Sequence, residues 1–358
     1  MFAACAPLPP MTTNPTPFAA ALVSPDGAAP AATDIYGPLI GSWSVAITDT
    51  LDDGSTRSDS GEWHFSRVLD GRAVQDVWIS PPRSSRQPAR VPGAFDRYGS
   101  SIRVPLPGGR EWKIIWLNPE RNVEVQLIGR CIGDLIVQEG DQPDGTRLRW
   151  TFSNVSNTGF HWLGETSSDH GRTWRTQQQM VGTRLPAFAA DRDDMIRSLK
   201  ADGPHPSIAE GASTFEWLQG AWELDCDIVT RDGQRTRWNG DWHFGWIVGG
   251  RMVQDALYFY PPGRPDKRAG GTSLRLYDTQ RKEWNVVWFS PGGNFFVALK
   301  GGRVGERIVL HGGDADGTRI RWTFDDIRAD SFHWLGEKSD DGGRTWWVEQ
   351  EMQALRQA

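Results

Sequence analysis

The chain has 358 residues, 38% of them hydrophobic, and a formal charge of -6 at pH 7. It falls in the range of an ordinary soluble two-domain protein with ample core, and it lacks the concentrated stripe of Lys and Arg that a nucleic-acid binder needs to displace counterions from phosphates. No apolar run approaches the ~20 residues needed to span a bilayer, so no membrane-spanning segment is expected.

Residues 1–35 are rich in Ala, Pro and Thr without periodicity and read as a disordered tail. The opening MFAACAPLPP has neither the basic start nor the apolar core of a secretory signal, which predicts a cytoplasmic protein. The alternative is a truncated lipoprotein signal ending at Phe-Ala-Ala-Cys, in which case Cys5 carries lipid and the protein is periplasmic. Beyond the tail the sequence is written twice. GEWHF ending at Phe65 returns as GDWHF ending at Phe244, and FHWLGE from Phe160 returns unchanged from Phe332. Trp43 and Trp222 lie 179 residues apart whereas Trp112 and Trp284 lie 172 apart, so a loop between Ile79 and Ser101 is seven residues longer in the first copy. A unit this large buries its own core, which predicts two independently folded domains at 36–185 and 214–358. The linker between them, 186–213, carries a short helix at Asp191 to Leu199.

Within each copy the pattern has period two. Trp43, Val45 and Ile47 alternate with polar residues, as do Trp222, Leu224 and Cys226; Trp112, Ile114 and Trp116 are matched by Trp284, Val286 and Trp288. Asp-Gly pairs at Asp53, Asp144, Asp232 and Asp316 supply the positive φ of tight hairpins. The fold class is therefore all-β, each copy a meander of roughly 8 to 10 strands, and an up-and-down barrel removes its exposed edges. Cys5, Cys131 and Cys226 occupy non-equivalent positions, which excludes a repeated disulfide or zinc site.

Each copy opens with Gly-x-Trp (Gly41 and Trp43; Gly220 and Trp222) and closes with an arginine, Arg184 or Arg356. With the VLDGR or IVGGR turn and a late Ser-x-Asp-x-Gly-x-Thr-Trp hairpin, the pattern resembles a bacterial lipocalin-like family, a calycin-type β-barrel domain of unknown function, in two tandem copies. The resemblance implies a first-strand tryptophan at the barrel floor beneath a last-strand arginine. The hairpins SSDHGRTW and SDDGGRTW also resemble the Asp-box of sialidase propellers; one match per copy favours a structural turn over glycan chemistry.

Tryptophan is the outlier: of nineteen, fourteen form seven equivalent pairs. The candidate ligand-binding residues are Trp63, Trp116 and Trp150 in the first copy and Trp242, Trp288 and Trp322 in the second, as walls of a cavity for a flat apolar molecule. Simple filling of the barrel is the competing reading. Gln75, on a face with Ala73, Val77 and Ile79, and Gln254, with Met252, Ala256 and Tyr258, are read as inward amides that orient the ligand. His161 and His333 complete the set on a mixed face; no catalytic residue is assigned. His64 and Arg149 fall opposite the Trp face, on an outer ladder. No metal-ligand spacing occurs, and no cofactor is expected on the leading reading.

That reading is a tandem lipocalin-like binder of a small hydrophobic or aromatic molecule, with room for the two barrels to pack on each other. Two alternatives stand beside it. One is an enzyme of the hydratase, isomerase or cyclase type using cavity His and carboxylate residues, as in similar tandem folds. The other is a nitrobindin-like haem binder with His161 or His333 as axial ligand.

Overall fold

A computed structural model describes residues 16–23, 34–85, 97–186, 194–264, 267–291, 295–314 and 316–357. Strands β1 (Gly41–Thr50), β2 (Thr56–Val68), β3 (Ala73–Ser80), β4 (Arg97–Pro105) and β5 (Trp112–Asn118) form half of the first barrel. The other half is β6 (Val123–Ile132), β7 (Leu135–Asp141), β8 (Arg147–Ser153), β9 (Gly159–Ser167) and β10 (Arg175–Arg184). Each strand pairs antiparallel with its successor, and β10 returns to β1, so the barrel is closed. No edge is left to pair with another chain.

The second barrel repeats the order. Its strands are β11 (Gly220–Val229), β12 (Arg235–Ile247), β13 (Met252–Tyr260), β14 (Ala269–Asp278) and β15 (Glu283–Ser290). They continue as β16 (Phe295–Val304), β17 (Arg307–Gly313), β18 (Arg319–Asp325), β19 (Ser331–Ser339) and β20 (Trp347–Arg356). β20 pairs with β11, and a two-residue strand, Lys200–Ala201, adds to the end of β12. All-β tandem barrels are thus what the period-two pattern specified. The Asp-Gly hairpins hold Gly54 at φ 82° and Gly233 at φ 88°, a region that only glycine enters without strain.

The floor of each barrel follows from three residues. Trp43 is buried and donates its indole N–H to the Leu39 carbonyl at 2.8 Å, from the 3-10 turn Gly37–Leu39. Arg184 lies 4.0 Å above the Trp43 ring and donates to the carbonyls of Ile40 and Pro38, both at 2.8 Å. Trp222 repeats the bond to Leu218 at 2.8 Å, and Arg356 sits 4.1 Å above its ring. At the late hairpin, Asp169 accepts from the backbone N–H groups of Arg172 and Thr173 and from the Thr173 hydroxyl, which pins the turn.

The two barrels pack on each other. One buried apolar cluster runs through both, joining Val77, Ile79, Ile102, Ile115 and Leu117 to Ala256, Tyr258, Leu274, Val287 and Phe289. At its centre Gln75 and Gln254 exchange hydrogen bonds, Nε2 to Oε1 in both directions, at 2.8 and 2.9 Å. Each amide spends its other donor on an equivalent hydroxyl, Ser100 at 3.2 Å or Thr272 at 3.1 Å. The contact is self-complementary, as at a two-fold interface.

Part of the stretch read as a disordered tail is also ordered. Residues Pro17–Leu22 form helix α1, capped by Thr16 and started by a proline at its first turn. Its Phe18, Ala19 and Leu22 enter the cluster between the barrels, because that apolar stripe finds a groove to cover. In the linker, helix α2 (Asp194–Leu199) adds Met195, Ile196 and Leu199 to the same cluster. Cys5 and residues 191–193 lie outside the described residues. Among the described residues no helix is long and apolar enough to cross a membrane.

Candidate functional site

Alternation along the strands throws one set of tryptophans inward. In the first barrel Trp63 on β2, Trp78 on β3, Trp116 on β5, Trp150 on β8 and Trp162 on β9 line a cavity of about 440 Å³. The rings touch in series. Trp116 meets Trp150 at 5.7 Å, Trp150 meets Trp162 at 5.8 Å and Trp162 meets Trp63 at 6.2 Å. The second barrel has the same series, from Trp288 through Trp322 and Trp334 to Trp242, beside a cavity of about 280 Å³. Glycine makes room for it: a Cβ on Gly164 or Gly336 would stand 2.5 or 2.6 Å from the Trp162 or Trp334 ring.

Below the indoles lies a buried ion pair. Arg103, 1% exposed, donates to Asp76 at 2.5 Å, and the second Asp76 oxygen accepts from the Ser101 backbone N–H at 3.0 Å. Arg275 and Asp255 repeat this at 2.7 Å, with the Ser273 N–H on the other oxygen at 2.6 Å. The guanidinium of Arg103 is flanked by the Tyr36 and Phe65 rings, that of Arg275 by Phe215 and Phe244. An isolated charge would not survive such burial; paired and ring-flanked, it persists.

Several donors around the cavities have no acceptor. The indole N–H groups of Trp63, Trp78 and Trp162 and the Nε of Arg103 are buried without a hydrogen-bond partner among the described residues. In the second barrel the same holds for Trp242, Trp334, the Nε and Nη1 of Arg275 and the Ser273 hydroxyl. Buried polar groups are nearly always paired, and leaving one bare costs about 1–3 kcal/mol. Burial also pushes the Tyr36 phenol well above its ordinary range, so it stays a neutral hydroxyl.

At the mouth of the first barrel Asp49 accepts from Arg57 at 2.7 Å, from Arg97 at 2.9 Å and from Gln178 at 2.6 Å. Burial acts to raise the Asp49 pKa, but these bonds outweigh it and the carboxyl is held below its ordinary value.

Trp63, Trp116 and Trp150 therefore stand together around one cavity, and Trp242, Trp288 and Trp322 around the other. The other four candidates stand elsewhere. Gln75 and Gln254 face the opposite barrel rather than a cavity, because the apolar face they share is buried from outside the wall. His161 is exposed on the outer face between the inward Phe160 and Trp162. His333 is likewise outside, bonded to Asp325 at 2.6 Å and Glu351 at 3.1 Å. Neither ring faces the interior of its barrel, so neither stands as an axial ligand to a group held there. His64 is on the outer side of β2 but buried, between Ser42 at 2.9 Å and Glu62 at 2.9 Å.

Sequence reasoning passed over Arg103 and Arg275, although their positions, 172 residues apart inside otherwise apolar strands, were a usable signal. Trp78, which Leu257 replaces in the second copy, had no repeat to mark it. Among the described residues no group of three or more His, Cys, Asp or Glu side chains is placed to hold a metal ion.

Fold and site together define a tandem ten-stranded β-barrel protein with a tryptophan-lined cavity in each barrel. No family model and no curated protein matches the chain. Among solved structures it is similar to an S-type phycobiliprotein lyase from Guillardia theta, at 8% identity and a TM-score of 0.32 over 43% of this chain and 92% of that one. It is also similar to a DUF3598-family protein of unknown function from Nostoc punctiforme, at 10% identity and a TM-score of 0.29 over 92% of this chain and 100% of that one. Likenesses this slight carry no functional weight, and the site is read from its own geometry.

Proposed function

We propose that each barrel binds a small hydrophobic or aromatic molecule that presents an oxygen acceptor to the barrel base. One observation supports this above the rest: unpartnered indole donors recur at equivalent positions on both cavity walls, Trp63 with Trp242 and Trp162 with Trp334, and unpartnered guanidinium donors recur inside both barrels at Arg103 and Arg275. Plain core filling leaves these donors bare in both copies, whereas a carbonyl, hydroxyl or ether oxygen satisfies them. The indole walls supply rigid apolar area for the body of the molecule.

Native mass spectrometry of the protein as isolated is expected to show a small-molecule adduct lost on denaturation. Added N-phenyl-1-naphthylamine is expected to light up by energy transfer from the wall tryptophans. Leu in place of Gly164 and Gly336 should drive the Trp162 and Trp334 rings into the cavities and abolish that signal. An unliganded protein that leaves the probe dark would overturn the proposal.

A further inference from the structure

Building on the reading that the barrels hold ligands, we infer that the two sites are tuned to different charge classes. The first takes an anionic aromatic or amphipathic molecule, with a carboxylate- or sulfonate-type group at the mouth; the second takes a neutral one.

The buried ion pairs are alike, so the difference lies around them. Arg57, Arg97, Arg121 and Arg175 line the first cavity at its mouth against only Asp49 and Asp52. With Arg103 and its partner Asp76, and the Arg97 partner Asp59, counted, five positive charges face four negative ones, a surplus of one. Among the described residues lining the second cavity the one charged side chain is Glu349, itself bonded to Lys338 at 2.6 Å. Ile228, Thr236, Ala269 and Trp347 stand where the first barrel has Asp49, Arg57, Arg97 and Arg175.

Deeper in the wall the exchanges run the same way. Phe215 replaces Tyr36 and Leu310 replaces Gln138, whose buried hydroxyl and amide have no partner among the described residues. Each exchange makes the first barrel the more polar. A cleft with low-dielectric walls focuses the field of its charges, so a net positive surplus at one mouth raises the local concentration of anions there. Charge-assisted hydrogen bonds to the arginines then offset the desolvation of the anionic group. No arginine lines the second cavity at its mouth, so the charged group of an anion would lie there without a charge-assisted partner.

Two probes with one ring system separate the classes: N-phenyl-1-naphthylamine, neutral, and 8-anilino-1-naphthalenesulfonate, its anionic counterpart. On the full chain the neutral probe is expected to bind in both barrels and the sulfonate in one, with the sulfonate affinity alone falling as salt is added. The double substitution Arg121→Glu and Arg175→Glu, both at exposed positions, is expected to weaken the sulfonate by about tenfold and leave the neutral probe unchanged. The salt titration on the unaltered protein keeps the test open should that variant misfold. Equal stoichiometry for the two probes, with no salt dependence, would overturn the charge assignment while leaving ligand binding intact. Failure of both probes to bind would sink both proposals together.

Discussion

At the scale of single residues, the pair Gln75 and Gln254 separates what sharing a face reveals from what it conceals. Each amide is satisfied by the other, so replacing one alone strands a buried acceptor. Gln75→Leu is expected to lower stability by about 1–3 kcal/mol, whereas Gln75→Leu with Gln254→Leu recovers most of that loss. Chemical denaturation of the two singles and the double measures the coupling; additive losses would show that the amides act separately. A second residue sets an acid limit. Burial acts to raise the Glu62 pKa, but bonds from His64 and Arg83 reverse this and hold it at about 2, against 4.5 when free. A carboxyl depressed in the folded state stabilises it fully above its free value and loses that contribution as pH falls to the depressed one. The melting-temperature gap between the unaltered protein and Glu62→Gln should therefore be widest near neutrality and close between pH 4.5 and about 2. A gap that does not change with pH would count against it.

At the scale of elements, the floor of each barrel is a first strand locked to a last one. Trp43→Ala or Trp222→Ala removes a buried indole, its bond to the preceding 3-10 turn and the platform beneath the arginine. The expected loss is about 3–5 kcal/mol in that barrel, read from the near-ultraviolet dichroism transition; less than about 1 kcal/mol would remove the ring from the floor. This element was legible beforehand, because Gly-x-Trp and the terminal Arg recur in both copies. β3 was harder. Alternation assigns residues to one of two faces, and it marks the interior only when the other face is wet. All eight residues of Ala73–Ser80 are buried, so both faces looked apolar and the glutamine was placed on the wrong side. The inward charge on β4 was legible only through its repeat: Arg103 and Arg275 recur 172 residues apart, whereas alternation alone does not mark either as buried. The tryptophan walls were legible because indoles recur at fixed offsets, and no barrel partner competes for the strands that carry Trp150 and Trp162.

At the scale of the molecule, the repeat gave the number of barrels but not their mutual dependence. Residues 214–358 expressed alone would expose Met252, Ala256, Tyr258, Leu274, Leu276, Val287 and Phe289, which the first barrel and the helices now cover. An apolar patch of that extent drives association. The fragment is expected to show a β-type dichroism spectrum and to sediment as a dimer or larger; a stable monomer would show that the shared cluster is dispensable.

The reciprocal glutamine bonds have a consequence for assembly. A surface that matches its own repeat does not distinguish the barrel at the other end of the same chain from the corresponding barrel of a neighbour. Closed monomers and exchanged pairs would be held by the same hydrogen bonds and the same buried side chains. What separates them is the tether through residues 186–213, which sets how often the two faces meet within one chain compared with encounters in solution. Shortening that tether until the faces cannot meet should convert a monomer into an exchanged dimer that keeps the reciprocal glutamine bonds.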